Sequence, residues 1–499
     1  MSQARARATD VVIIGAGPAG LTAAYELTKF DCRPLVLEKG GKVGGLARTE
    51  QFKGFHFDMG GHRFFTNSQE VKKMWLEILG KDFLRCPRLS RIYYNGRFFC
   101  YPLKPLNVLM GLGVLQSLLI ALSYLQWQLL PYRREDTFEQ WVTNRFGKRL
   151  FRTFFKTYTE KVWGIPCSEL KAEWAAQRIK DLSFKTALLS MFLKRGQAVK
   201  TLIDQINYPR LGPGMMWNAV KSEIECRGGI VRLNCDVVRI HRTGTRIDSV
   251  VISEKGREEV IQGTDFISSM PVTEFINKLH APPPLEVSDA AEKLNYRDFL
   301  TVCLIINKPD LFPDNWIYVH DPGVKVGRIQ NFKNWSPDMV PDLAKTSLGL
   351  EYFCTEGDAL WRTPDADLVE LGRREVDRIG LARYVDVEDG CVVRSPKAYP
   401  VYDSAYGDHL TTIRGFVDSL ENFQTIGRNG LHRYNNQDHA MLTGMLAVRN
   451  LVRGERHDLW KVNTDEEYHE EVRSEIEVES QDVAEVLQTA SGVFLTEHR

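Results

Sequence analysis

The sequence predicts an α/β fold, and three features carry the expectation. Val11 to Ile14 are four consecutive β-branched apolar residues, the pattern of a short strand buried on both faces. Gly15, Gly17 and Gly20 follow in a G-x-G-x-x-G spacing and lead into a helix-forming run, Leu21 to Lys29. A second apolar strand, Pro34 to Leu37, then closes on Glu38. Strand, glycine turn, helix, strand and acid in this order meet the requirements of a dinucleotide site. Gly15 permits the tight turn. Gly17 lets the backbone approach a pyrophosphate, and Gly20 lets helix and strand pack closely. Pro18 and Ala19, within the turn, are expected at the cofactor with the helix N-terminus, whose free N–H groups and partial positive charge suit phosphates. Glu38, followed by Lys39, stands where ribose hydroxyls are accepted, which disfavours a 2′-phosphate. The competing reading is a glycine-rich turn that packs a helix and binds nothing.

Length and charge bound the remaining choices. The chain has 499 residues, enough for two or three domains. Its 65 basic residues nearly balance 64 acidic ones, which gives no support to nucleic-acid binding. Arg5 and Arg7 precede the first strand without an apolar signal core, so a cytoplasmic protein is expected. Nine scattered cysteines include no C-x-x-C pair, which argues for a reducing compartment and against a disulfide or zinc framework. No metal site is expected.

Two glycine-rich loops follow the fingerprint: GGKVGGLAR from Gly40 to Arg48, and GFHFDMGGHRFFT from Gly54 to Thr66. Paired glycines of this kind permit close backbone approach to a large ligand. Here the chain resembles the FAD-dependent superfamily of amine oxidases, protoporphyrinogen oxidase and UDP-galactopyranose mutase. The resemblance implies a Rossmann-like FAD-binding domain of the GR2 type, with a helical insertion domain and an antiparallel-sheet substrate domain. It places Gly45, Leu46, Ala47 and Arg48 along the FAD pyrophosphate, and Gly60, Gly61 and His62 beside the isoalloxazine. As a lone residue, His62 reads as a structural hydrogen-bonder.

Residues 1–66 form the first part of the FAD-binding domain on this reading, and residues 67–206 the helical insertion. Ile92 to Tyr101 reads as a hairpin turning at Asn95-Gly96. Residues 106–132 contain no charged side chain. A buried helix or helix pair, an interfacial membrane-docking helix and a true span all fit that stretch. The neighbouring Arg133-Arg134 favours docking, hence an expected peripheral contact with the inner face of the membrane. Thr137 and Gln140 form a capping-box pattern ahead of an aromatic-rich helix.

From Tyr158 to Gly164 (YTEKVWG), and again from Gln177 to Phe184 (QRIKDLSF), the chain resembles UDP-galactopyranose mutases. There a downstream arginine binds the substrate diphosphate, and Arg178 is the matching position. By itself such an arginine reads as a surface ion pair of little energetic worth.

Residues 207–295 are the second part of the FAD-binding domain. Val237 matches a backbone contact to the adenine in the superfamily, and Asp265 to Met270 begins the return to the nucleotide sheet. Residues 296–424 alternate with period two and predict the antiparallel-sheet substrate domain. Within them Arg328 lies in GRIQNFKNWSP, similar to a phosphate-contacting segment of eukaryotic-type mutases. Residues 425–463 complete the FAD-binding domain. The resemblance places Gly427, Arg428, Asn436, Gln437, Asp438 and Met441 at the flavin, with Tyr434 beside the diphosphate. In the bacterial-type pattern Asn436 would be an Asp. Residues 464–499 form an acidic tail, with one base among ten acids over 464–486.

The leading expectation is an FAD enzyme of the UDP-galactopyranose mutase type, in cell-surface polysaccharide biosynthesis. It would interconvert pyranose and furanose forms of a nucleotide-sugar through a reduced-flavin adduct, with NAD(P)H as the reductant. Arg178, Arg328, His62 and Tyr434 are the expected catalytic residues. The alternative is an amine oxidase- or protoporphyrinogen oxidase-like oxidoreductase acting on an apolar or lipid-linked substrate. A scaffold without enzymatic activity is the third class.

Overall fold

A computed structural model describes residues 11–101, 103, 105–172 and 205–463 of the chain. Arg178, its motif and the acidic tail lie outside the described residues.

Strand Val11–Ile14 sits at the centre of a five-stranded parallel sheet. Asp265–Ser268 and then Phe423–Thr425 lie to one side. Leu35–Leu37 and then Ile230–Arg232 lie to the other. The run of four apolar residues follows from this position. Successive side chains point to opposite faces of a strand, and each face here meets its own core. Val11 and Ile13 pack with Ala23, Ala24 and Leu27 of helix Pro18–Thr28. Val12 and Ile14 pack with Val250, Phe266 and Phe275. The second face is covered by a meander, Asp236–Thr243, Arg246–Glu254 and Arg257–Gln262. A helix on one face and a meander on the other define the Rossmann-like architecture expected from the sequence.

A seven-stranded sheet forms the other half. Its order is Val387–Pro400, Tyr296–Ile306, Thr346–Cys354, Arg328–Asn331, Trp316–Val319, Ser90–Tyr94 and Arg97–Cys100. The neighbours are antiparallel except where Ser90–Tyr94 runs parallel to Trp316–Val319. The expected hairpin is therefore present, but as the edge of the substrate sheet. Its turn at Asn95-Gly96 has positive φ at both residues (48° and 73°), the geometry for which Asn-Gly is suited. Alternate residues of Tyr296–Ile306 again serve two cores. Leu300, Val302 and Leu304 meet helix Asp365–Arg378 through Leu368 and Val376. Phe299 faces the opposite side, with the aromatic residues of 138–163.

The uncharged stretch folds as helices Pro105–Leu112 and Val114–Leu129, broken at Gly113 with φ 84°. The reading of a buried pair is corrected by the structure. Ile120 and Ser123 are buried, but Leu115, Leu118, Leu122, Leu125 and Leu129 are exposed. No helix among the described residues is long and apolar enough to cross a membrane.

Candidate active site

The nucleotide cradle is built around glycines, and at Gly15 and Gly20 there is no room for a side chain. A Cβ on Gly20 would lie 2.0 Å from the carbonyl oxygen of Gly15, and one on Gly15 would lie 2.3 Å from Ser269 Oγ. A Cβ on Gly45 would come within 3.2 Å of Gly17 Cα. The backbone N–H of Gly44 donates to Ala16 O (2.8 Å), tying the second glycine loop to the first. Leu46 and Ala47 continue that loop as a short turn, Gly45–Ala47. Arg48 closes it by donating to Gly45 O (3.0 Å) and Glu50 (2.7 Å).

Glu38 accepts the backbone N–H of Ala16 and of Gly40, each at 2.8 Å. The acid is thus fixed at the end of its strand, beside the turn. Cys235 N donates to Glu38 O (2.8 Å), which brings Val237 to the same end of the sheet. Lys39 points to solvent. On the opposite side, helix Gln437–Arg453 crosses helix Pro18–Thr28 closely. A Cβ on Gly444 would lie 2.5 Å from Ala19 O, and one on Gly427 would lie 2.9 Å from Ala19 Cβ.

Gly60, Gly61 and His62 lie where this cradle meets the seven-stranded sheet. Gly60 has φ 114°, and a Cβ there would touch His62 and Phe299 at 3.5 Å. A Cβ on Gly61 would lie 4.0 Å from both Arg328 Nη1 and Gln330 Oε1. Burial pushes the pKa of His62 down to about 3, with help from Arg428, Arg328 and Arg48 and against a backbone contact with Gly60. At neutral pH His62 is therefore an uncharged imidazole.

Arg328 is held by a fully buried carboxylate. Its Nε donates to Glu351 Oε1 (2.8 Å), and its Nη2 to Glu351 Oε2 and Tyr399 Oη (3.3 Å). Gln330 Nε2 donates to the same carboxylate (2.9 Å). Burial works against the charge on Arg328, but Glu351 more than offsets it and the guanidinium stays protonated. The fork is pinned by two of its nitrogens, leaving Nη1 on the Gly61 side.

Arg428 donates to Ala398 O (2.8 Å) and Asn435 O (3.0 Å), and lies over the rings of Tyr434 (4.1 Å) and Tyr399 (5.0 Å). Those two rings stack at 5.5 Å, and Trp163 packs against both. Asn436 caps helix Gln437–Arg453 in a capping box with His439, and Asp438 lies in the first turn. Met441 is directed away into the core, accepting from Trp75 Nε1 (3.1 Å).

The structure thus gathers Arg328, His62, Arg428 and Tyr434 around one site. Sequence reasoning missed Glu351, Tyr399 and Gln330. A glutamate in the otherwise apolar run SLGLEYFC was the available signal for the first.

This site fits FAD. Glycines at Gly15, Gly17 and Gly20 and again at Gly60 and Gly61 keep the backbone bare of side chains at both ends a dinucleotide would need. Among the described residues, the buried amide atoms Gln330 Oε1 and Gln437 Nε2 have no hydrogen-bond partner, although Gln437 Oε1 accepts from Trp217 Nε1 (3.0 Å).

The chain belongs to the family of flavin-containing amine oxidoreductases, whose model matches residues 18–407. It is an FAD-dependent enzyme of that superfamily. A Mycobacterium tuberculosis protein described as a flavin-containing monoamine oxidase, AofH, is 50% identical over 295 residues, covering 56% of this chain and 61% of that protein. The chain spans 11% to 61% of the length of the first curated relatives it matches. Among solved structures, a reduced UDP-galactopyranose mutase superposes with TM-score 0.79 at 20% identity, covering 92% of this chain and 98% of that one. A protein from Exiguobacterium described as a protoporphyrinogen oxidase superposes at 0.69 and 16% identity, covering 90% and 100%. At these identities the likeness is one of fold.

Proposed function

We propose that the enzyme is a mutase of the UDP-galactopyranose mutase type, acting on a nucleotide-sugar or another diphosphate-bearing sugar. The observation that carries this reading is the Arg328–Glu351 pair. A guanidinium oriented by a buried carboxylate, with Nη1 on the Gly61 side, is suited to an anionic group at the flavin. Arg428 adds a second positive charge within range of His62. Arg328 and Arg428 against Glu351 leave one net positive charge there, which disfavours a protonated amine as substrate. Reduced FAD, when bound, would supply the nucleophile toward the anomeric centre. Arg328 binds and orients the diphosphate, Arg178 is its expected partner, and Tyr434 flanks it under Arg428. His62, uncharged, shapes the site without presenting a like charge. NAD(P)H is the proposed reductant, and cell-surface polysaccharide biosynthesis, from the cytoplasmic side, the proposed setting.

One observation favours the second reading, an oxidoreductase with an apolar or lipid-linked substrate. The exposed leucines of 114–129 give such a substrate a surface to arrive from.

Titration of the oxidised yellow protein with UDP tests the assignment. The flavin absorbance should shift on binding, and Arg328→Lys should weaken that binding roughly 10- to 100-fold, since one charge-assisted contact contributes about 1.5–3 kcal/mol. An unperturbed spectrum with UDP, together with bleaching by an amine, would reverse the assignment.

A further inference from the structure

The helix pair 105–129 presents to solvent the face that a soluble helix buries. Its inner side is fixed by small and polar groups. A Cβ on Gly111 would lie 2.2 Å from the Phe99 ring, and one on Gly147 would lie 2.8 Å from Tyr124 Cα. Arg149 N donates to Ser123 Oγ (3.2 Å), and Gln128 Nε2 donates to Asn144 O (2.8 Å). The leucines face outward instead. Leu115, Leu118, Leu122, Leu125 and Leu129 recur at alternating spacings of three and four, one stripe of a helix, and are 53–81% exposed. Met110 and Val114 extend the stripe at 73% and 76% exposure. A contiguous exposed apolar face of this kind marks a docking surface.

Its rim identifies the occupant. The rings of Trp127 and Tyr132 lie 4.7 Å apart at the end of the second helix, and Lys148 Nζ sits 5.8 Å from the Trp127 ring. Arg133, Arg134, Arg149 and Arg152 are exposed around them. Between Arg97 and Lys156 nine Lys and Arg stand against three Asp and Glu, in a chain that is otherwise balanced. An apolar stripe bounded by interfacial aromatics and a basic rim is complementary to a bilayer of anionic lipid. A second copy seated on the same stripe would set one basic rim against another.

We propose that the helix pair 105–129 docks this enzyme on an anionic membrane surface. The leucines enter the interface, and the arginines hold the headgroups. The face is also joined to the candidate active site by rings. Tyr101, just before the helix pair, contacts Tyr318 (4.9 Å). Tyr318 contacts Tyr158 (5.5 Å), and the charge of Arg328 bears on Tyr158. The proposal does not rest on the mutase reading, because no part of it uses the reaction.

Cosedimentation of the full-length holoprotein with vesicles tests it. Vesicles of phosphatidylcholine with phosphatidylglycerol should pellet the protein, and phosphatidylcholine alone should pellet far less. Arg133→Gln with Arg134→Gln should weaken binding roughly 25-fold, at about fivefold per basic residue. Leu118→Glu with Leu122→Glu and Leu125→Glu should abolish it. These side chains are exposed, and retained flavin absorbance verifies that the variant is folded. No pelleting with either vesicle would overturn the proposal. So would a dimer, seen by light scattering without lipid, that the leucine variant dissolves and vesicles do not compete for.

Discussion

Arg328 and Glu351 face each other across two paired strands, and each explains the other. A buried carboxylate alone would be costly, and a mobile arginine would bind a diphosphate poorly. Arg328→Ala should therefore do two things. It should abolish turnover, and it should destabilise the fold by about 3–5 kcal/mol because Glu351 is left buried and unpaired. Adding Glu351→Gln should recover most of the melting temperature and none of the activity, which separates binding from folding. Arg328 was legible in the sequence through its motif, but its pairing with Glu351 was not. Glu351 lies 23 residues away, and only the register of the strands brings the two together. Asp58 carries a pH prediction. Burial pushes its pKa up to about 7, against hydrogen bonds from Tyr208 and Thr49. The folded chain thus holds this proton more tightly than the unfolded chain, in which the carboxyl titrates near 3.8. Its contribution to stability is complete below about pH 4 and is lost as pH rises through 7. Melting curves across that range should show the decline, and Asp58→Asn should flatten it.

Among elements, the first glycine turn was the most legible, because local sterics alone dictate it. Gly20 has Gly15 O where a side chain would be. Gly20→Ala should consequently purify without bound flavin, as the absorbance ratio at 450 and 280 nm would show; a fully yellow variant would contradict the account of the turn. The Asn95-Gly96 hairpin was equally legible, for the same local reason. The helix pair was not. Period and composition show that Leu115, Leu118, Leu122, Leu125 and Leu129 share a face, but not whether that face meets protein, lipid or water. Only packing against Phe99 and Gly147 fixes which side is inward.

At the scale of the whole molecule, a nucleotide sheet and a substrate sheet enclose the site between Gly60-Gly61 and Arg328. The nucleotide sheet could be read from the fingerprint, and the superfamily from its glycine loops. The parallel pairing of Ser90–Tyr94 with Trp316–Val319 could not, since it joins segments more than two hundred residues apart and neither has a local signature for it. The same limit applies to chemistry, because this fold serves oxidases and mutases alike and only the charge of the site discriminates. The most direct test is an anaerobic incubation of the purified protein with UDP-galactopyranose, with and without dithionite, resolved by chromatography. The account predicts a furanose product in the reduced sample alone. No product in either sample, with a flavin spectrum indifferent to UDP, would contradict it and favour the oxidoreductase.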